Sequence, residues 1–355
     1  MKQAKGEELT DMVVTVTDVN QKQTLVRTED DEKFSFSFQE IIDRVDKLPL
    51  NYNDIPEFQE NMFYLMTHDN IKIGFVCRFI LNEMTQHCEK LVAVTFDVDS
   101  SKRTIRFKSN DFNTRNEQID QISTILREHS NIEDLKGWRN EKYAVWCPEK
   151  KPYVLIERAM AGPMGILTYG VHINGYFFDS KTKEIRFWIP RRSATKPTWP
   201  YMLDNMVAGG IGFPYGIHET VIKESLEEAN LPQDIINASI SNAGVVSYLF
   251  YQGNSKVDKF NSQKSYIVGE IEYIYDMKLN EDTIPRPNDG EVDSFNVLSL
   301  QEVMTALQNA EFKPNCALVM VDFLIRHGFI TTENEPNYLE IVNRIHRTLP
   351  FPTRN

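Results

Sequence analysis

Cysteine is scarce, long apolar runs are missing, and positive charge is outnumbered. Only four cysteines occur in 355 residues, Cys77, Cys88, Cys147 and Cys316, and none has a neighbour at metal-ligand spacing. That excludes a zinc-ribbon or disulfide-stapled scaffold. The N-terminal Met-Lys-Gln-Ala-Lys-Gly-Glu-Glu has no apolar signal core, so a reducing, cytoplasmic compartment is expected, and the Asn237-Ala238-Ser239 sequon reads as chance. No apolar run approaches the roughly 20 residues that cross a bilayer, which excludes a helical membrane protein on length. Lysine and arginine total 39 against 51 acidic residues, a formal net charge of -12. Such a balance argues against nucleic acid or an anionic membrane as partner. Internal repeats and low-complexity segments are absent too, and no protein partner is evident.

What is present suits a metabolic enzyme. The chain is 41% hydrophobic and 25% charged, long enough for two domains of ordinary size. Residues 1–35 are polar, with the acidic run Glu29-Asp30-Asp31-Glu32, and read as a flexible tail or weak hairpin. Residues 36–148 read as a smaller α+β domain, with strand patterns at 63–66, 71–80, 91–96 and 104–107 and a helix at 112–129. The polar stretch Pro148-Glu149-Lys150-Lys151-Pro152 reads as a boundary. Residues 149–355 then alternate strands near 154–156, 171–178, 185–189, 245–250, 265–275 and 292–297 with helices at 218–230, 299–308 and 315–328. The fold class is α/β.

The most informative segment is Gly209–Leu231, a loop containing Gly209, Gly210, Gly212, Pro214 and Gly216 that runs into a helix carrying Glu224, Glu227 and Glu228. At about 100° per residue these carboxylates share one face, and Ile222, Leu226 and Ala229 fall opposite, where they are expected to dock the helix on the core. Like charges at this spacing repel by a few tenths of a kcal/mol per pair. A hard divalent cation would turn that cost into a binding site. A solvated acidic face is the ordinary alternative, but it needs no glycine-rich turn before it.

This segment resembles the Nudix box, G-x5-E-x7-R-E-U-x-E-E-x-G-U. Lys223 stands where the family has arginine, Asn230 where it has glycine, and Tyr215 or Ile217 where it has its first glutamate. Asparagine tolerates a left-handed helix end, and Glu219, four residues before Lys223, is expected to brace it. Flanking motifs are similar to one branch, the fungal and plant Nudix hydrolases related to bifunctional thiamine pyrophosphokinase proteins: Tyr169–Tyr176, Phe187–Lys196, Met202–Gly210, Asp289-Gly290-Glu291-Val292, Phe312-Lys313-Pro314-Asn315 and, earlier, Gly137–Glu141. The resemblance implies an α/β/α sandwich with a mixed sheet, preceded by the smaller domain and ending in a C-terminal helical extension. It also implies hydrolysis of thiamine-type diphosphates, preferably oxo- or oxy-damaged forms, a metabolite-damage repair. Mg²⁺ or Mn²⁺ would be held by Glu224, Glu227 and Glu228.

Attack of water on phosphorus is served by cations that neutralise phosphoryl oxygens and lower the pKa of water, and carboxylates suit Mg²⁺ and Mn²⁺. Glu227 and Glu228 are the catalytic candidates within the helix. Glu291 is the candidate base or ligand from outside it, with a solvent-facing strand end as the alternative. Arg191, Arg192 and Lys196 are candidates to grip phosphate, with Gly209 and Gly210 allowing close approach. Of Trp188, Trp199, Tyr201 and Tyr169, one or two are expected to line the site. His172 reads as structural. Rival readings are a hydrolase of nucleoside diphosphate-linked substrates such as ADP-ribose and a non-catalytic metabolite-binding module. An isopentenyl diphosphate isomerase is disfavoured, because no cysteine lies near the loop or helix.

Overall fold

The computed structural model describes residues 15–19, 22–27, 36–253 and 259–354. Within the stretch expected to be a flexible tail or a weak hairpin, β1 (Thr15–Val19) and β2 (Lys22–Val26) pair as an antiparallel hairpin. It is docked: Leu25 is buried, and its carbonyl accepts from Asn334 Nδ2 at 3.1 Å. The acidic run 29–32 lies outside the described residues. The segment α1 (Gln39–Val45) buries Ile41, Ile42 and Val45 among C-terminal helices. Asp46 then accepts from Arg347 Nη1 at 2.7 Å and Arg344 Nε at 3.2 Å.

After the short helix α2 (Pro56–Asn61) comes a four-stranded sheet in the order β4-β3-β6-β5. Its strands are β3 (Met62–Met66), β4 (Lys72–Cys77), β5 (Phe96–Asp99) and β6 (Thr104–Phe107), accompanied by α3 (Arg78–Thr95) and α4 (Phe112–His129). Two expectations are corrected here. The strand expected at 71–80 ends at Cys77, and 91–96 is not a strand but the last turn and a half of α3, ending where β5 begins. A short continuous apolar run cannot be assigned by periodicity alone; here Val92 is buried while Val94 faces solvent.

The main sheet is built around β9 (Leu167–Phe178), which pairs in parallel with β13 (Ile267–Lys278) and antiparallel with β10 (Ile185–Arg192) and β11 (Val207–Gly210). Outside these, β12 (Ile240–Tyr251) borders β13 and β14 (Val292–Ser299) borders β10. The sheet is therefore mixed. Alternation along β9 sends Val171 and Ile173 to one face, where α5 (Ile217–Ala229) and α6 (Gln233–Ser239) supply Val221, Ala229 and Ile236. The opposite face is covered by α1, α7 (Leu300–Gln308), α8 (Pro314–Arg326) and α9 (Tyr338–Ile345). The result is the expected α/β/α sandwich.

The division at 148–152 is revised by strand pairing. That stretch is the turn of a hairpin between β7 (Lys142–Trp146) and β8 (Pro152–Glu157). The four-stranded sheet also shares one continuous apolar core with the α5 face of the sandwich, and Phe75 N donates to Gly165 O at 3.1 Å across the junction. A proline-flanked polar stretch marks a tight turn as readily as a linker. Among the described residues, no helix is long and apolar enough to cross a membrane.

Candidate functional site

Helix α5 begins where Gly216 N donates to Glu219 Oε2 at 2.7 Å, which satisfies one of the orphan donors of the first turn. It ends at Asn230, in the left-handed conformation (φ 52°, ψ 38°), with Asn230 N bonded to Leu226 O and Leu231 N to Ser225 O. The reading of Asn230 as a glycine substitute agrees with this geometry. The Glu219–Lys223 brace does not form, because Glu219 is spent on the helix start. Lys223 Nζ instead bonds Glu224 Oε1 at 2.9 Å and Glu227 Oε2 at 2.7 Å.

The helix is also turned the other way. Leu226, expected to dock on the core, is 48% exposed, while Glu228 is only 8% exposed and lies among buried Thr220, Val221, Ser225 and Ala229. Glu224 is turned inward as well: its side chain packs on Gly209, where an added Cβ would stand 2.6 Å from Oε2. Glu227 remains at the mouth. Apolar patterning predicts the buried face only when the inward residues are apolar, and here two are carboxylates.

Burial raises the pKa of both inward carboxyls. For Glu228 the cause is desolvation, added to by the nearby Asp204 carboxylate, against one hydrogen bond from Ala208 N at 2.9 Å. For Glu224 desolvation outweighs the Lys223 ammonium. Burial would depress Lys223, yet Glu227 and Glu224 together hold it above the usual lysine range. The ammonium thus occupies a cation position between two carboxylates.

Glu291 follows a turn at Gly290 (φ 84°) and ion-pairs with Lys196. Burial would raise its pKa, but Lys196, with Arg139 and Arg158 beyond it, holds it low. Glu291 also adds to the field at Glu224, and Lys196 to that at Glu228. These four groups therefore share one electrostatic neighbourhood, with Glu227 tied to it through Lys223.

The arginines expected to grip phosphate are placed otherwise. Arg192 is buried against Asp204, Nη1 to Oδ2 at 2.6 Å, and also donates to Trp199 O and Thr198 O, so its role is to fold the 193–204 loop. Arg191 donates to Tyr201 O at 2.7 Å and lines a separate cleft of about 560 Å³ with Leu203 and α7 residues. Strand pairing shifts register between the two arginines, which neither charge nor spacing revealed. Lys196 alone of the three joins the carboxylates. Gly209 and Gly210 admit protein groups, Glu224 and the Tyr143 hydroxyl respectively. Tyr169 lines a small cavity of about 60 Å³ beside residues 211–215. Trp188 is buried, whereas Trp199 and Tyr201 are exposed. His172 is buried, its Nδ1 2.7 Å from Asn205 Oδ1, a structural position as expected.

Residues from the β7–β8 hairpin went unrecognised. Glu141 reaches the glycine loop at Gly212 and pairs with Arg158 at 2.8 Å; Phe213 N donates to Lys142 O. The field of Glu291 reaches Arg158, and Arg158 in turn faces Tyr143. The only signal in the sequence was the flanking motif Gly137–Glu141, whose individual roles its spacing does not disclose.

A family described as a domain of unknown function (DUF4743) matches residues 51–168. The uncharacterized protein YJR142W of Saccharomyces cerevisiae is 59% identical over 333 residues, covering 94% of this chain and 97% of the yeast one. Arabidopsis thaliana Nudix hydrolase 20, chloroplastic, is 38% identical over 215 residues, 59% of this chain and 53% of that one. Nudix hydrolase 24, chloroplastic, of the same plant is 33% identical over 231 residues, 64% of this chain and 59% of its own. Over these stretches the chain is similar to Nudix hydrolases. It spans somewhat over half the length of those two plant relatives.

Helix α5 lies in the segment that resembles the Nudix box, and its donor chemistry can be weighed against a divalent cation. Hard carboxylate oxygens suit Mg²⁺ or Mn²⁺, and Glu228 is buried with a raised pKa because desolvation and Asp204 outweigh the Ala208 hydrogen bond and the field of Lys196. Among the described residues no three His, Cys, Asp or Glu side chains converge tightly enough to enclose an ion. Lys223, bridging Glu224 and Glu227, is the group that holds these two carboxylates in their present positions.

Proposed function

We propose that this chain hydrolyses thiamine-type diphosphates, preferably oxo- or oxy-damaged thiamine diphosphate, to the monophosphate and phosphate. The observation that carries the hydrolytic reading is the inward turn of Glu224 and Glu228. Two carboxylates held against desolvation on a docked helix are costly to a fold and useful to a cation-dependent reaction. The thiamine assignment is supported by the motifs flanking the glycine loop, several of which frame this site: 137–141, 187–196 and 289–292.

In this reading Glu224, Glu227 and Glu228 would hold Mg²⁺ or Mn²⁺, which would supply neutralisation of phosphoryl charge and activation of water. Lys223, which now bonds Glu224 and Glu227, would have to give up those contacts to such an ion. Glu291, kept ionised by Lys196, would take a proton from the attacking water. Lys196, Arg158 and Arg139 form the cationic side of the site and offset the phosphate charge in a protein of net charge -12. Arg191 and Arg192 take no part.

Purified protein with Mg²⁺ or Mn²⁺ is offered oxothiamine diphosphate, thiamine diphosphate, ADP-ribose and dinucleotides, and phosphate or monophosphate release is followed. Fastest turnover of the oxidised thiamine compound is expected. Preference for ADP-ribose sinks the substrate assignment. Activity unchanged by Glu227→Gln sinks the metal site, and binding without turnover of any diphosphate points to a non-catalytic module.

A further inference from the structure

The chain from Arg347 to Arg354 crosses the α5 face of the main sheet, and the proposed hydrolysis gives it no part. Arg347 N donates to Ser247 O at 3.1 Å, and Ser247 Oγ returns a bond to Arg347 O at 2.8 Å. Phe351 is buried with its ring centroid 4.7 Å from that of Phe75, and Arg354 N donates to the Tyr169 hydroxyl at 2.9 Å. Ser247, Ile271 and Tyr169 are register partners in one row across β12, β13 and β9, so they share a face. The crossing segment therefore lies along a trough that runs from the outer strand β12 to the glycine loop.

The trough is not filled. A cavity of about 220 Å³ opens between Val245, Ile271, Tyr273 and Leu349 and reaches Thr353. Arg354 lines a second, the cavity of about 60 Å³ with Trp146, Tyr143, Tyr169 and residues 211–215. An apolar cavity of about 150 Å³ accepts a benzene-sized ring, so the larger has room for one. Tyr143 ties the smaller to the cationic side of the hydrolytic site, because Arg158 Cζ stands 5.7 Å from its ring centroid.

Arg354 brings a charge to this trough that nothing there offsets. Its Cζ is 5.3 Å from the Trp146 ring centroid, and Nη2 donates to Tyr215 O at 3.4 Å. Among the described residues it has no ion pair, and no Asp or Glu lines either cavity. Arg347, also at the larger cavity, is neutralised by Asp46, whereas Lys150 Nζ, bonded to Thr353 O at 3.2 Å, adds a second cation beside Arg354. Burial raises the phenols of Tyr169 and Tyr273, and the Arg354 charge acts against that rise in both.

We propose that Arg354 is a specificity-determining residue, whose unpaired guanidinium favours an uncharged flat heteroaromatic ring in the trough over a ring with fixed positive charge. The proposal rests on the diphosphatase reading, whose scissile group would lie toward Arg158. An uncharged ring stacks on Trp146 or on the planar guanidinium itself, once the flexible arginine stem swings to widen the smaller cavity. A cationic ring in the same place meets a like charge with no carboxylate to offset it, and at a few ångströms that costs at least about tenfold in affinity. The thiazolone of oxothiamine is uncharged where the thiazolium of thiamine is positive, so Arg354 separates the damaged form from the intact one.

The test follows the ratio of kcat/KM for oxothiamine diphosphate to that for thiamine diphosphate, using the full chain with Mg²⁺. Arg354→Gln is expected to move the ratio at least about fivefold toward thiamine diphosphate, chiefly through a lower KM for that substrate, whichever of the two wild type prefers. Arg354→Lys keeps the charge and is expected to hold the ratio within about twofold of wild type. A ratio indifferent to Arg354→Gln, or moved equally by Arg354→Lys, overturns the assignment. If turnover depends on Glu227 while the ratio ignores Arg354→Gln, the assignment alone falls and the hydrolytic reading stands. If wild type turns over neither compound, the hydrolytic reading falls, and calorimetry with the metal-free protein decides the assignment by itself. Oxothiamine binding more tightly than thiamine, with Arg354→Gln closing the gap, then upholds it, and any other outcome overturns it.

Discussion

Gly209→Ala tests the inward placement of Glu224 without altering any charge. An added Cβ would stand 2.6 Å from Glu224 Oε2, with Cδ and Cγ nearer still, whereas ordinary contact begins at 3.4 Å. The carboxylate must retreat by at least about 0.8 Å, given those two distances. Displacement of a reacting or ligating group by about 1 Å costs on the order of 100-fold in rate. Gly209 is not in the left-handed region, so no backbone strain accompanies the change, and a surface-proximal overlap of one methyl costs about 1 kcal/mol. The expected outcome is a fall of about 100-fold in kcat, with a melting temperature lowered by only a few degrees. Steady-state hydrolysis of thiamine diphosphate, read beside a thermal melt, checks both. Activity within about threefold of wild type would refute the reasoning, since Glu224 would then either be free to move at no cost or have no part in the reaction.

The two neighbouring arginines should separate cleanly. Arg192→Ala removes the ion-pair partner of buried Asp204 and leaves Lys313 as its nearby cation, so it is expected to cost about 1.5–3 kcal/mol in urea denaturation, whereas Arg191→Ala should leave stability within about 0.5 kcal/mol and hydrolysis unchanged. Equal behaviour of the two would contradict the burial of Arg192 against Asp204 and the place of Arg191 at a separate cleft. Asn230→Ala, at a left-handed helix end, should destabilise by about 1 kcal/mol, while Asn230→Gly should be neutral or better by equilibrium unfolding. Glu270 titrates at about 7 because of burial and the adjacent Glu272. The folded protein therefore holds a proton that the unfolded chain releases near 4.3, so stability falls as pH rises between these values. Glu270→Gln should remove that decline, its advantage growing from about pH 4.5 to 7 and vanishing below about 4; parallel pH–stability curves would refute the assignment.

Strand and helix patterns were enough to locate most elements of the main sheet, β9, β10, β12 and β13 as well as α5, α7 and α8. They failed at 91–96, where a continuous apolar run satisfies either structure. The short helices α1, α2, α6 and α9 were not foreseen; helices of eight residues or fewer hold their shape through tertiary packing more than through their own sequence. Within the site, Glu224, Glu227, Glu228 and Glu291 were legible because a glycine loop, a helix and a turn announce themselves locally. Lys196 was singled out with two arginines that turned out to lie elsewhere.

By itself, then, the sequence determined the class of fold, the helix that carries the carboxylates and its left-handed end at Asn230. Those features depend on spacing and backbone preference within a few residues. The tertiary structure decided which face of that helix is buried, since Glu228 goes inside and Leu226 outside against the apolar rule. It also decided that Lys223 bridges two glutamates, and that Glu141, Tyr143 and Arg158 arrive from a hairpin some 70 residues earlier. Burial and long-range charge are set by what folds on top of a residue, and no local pattern records them.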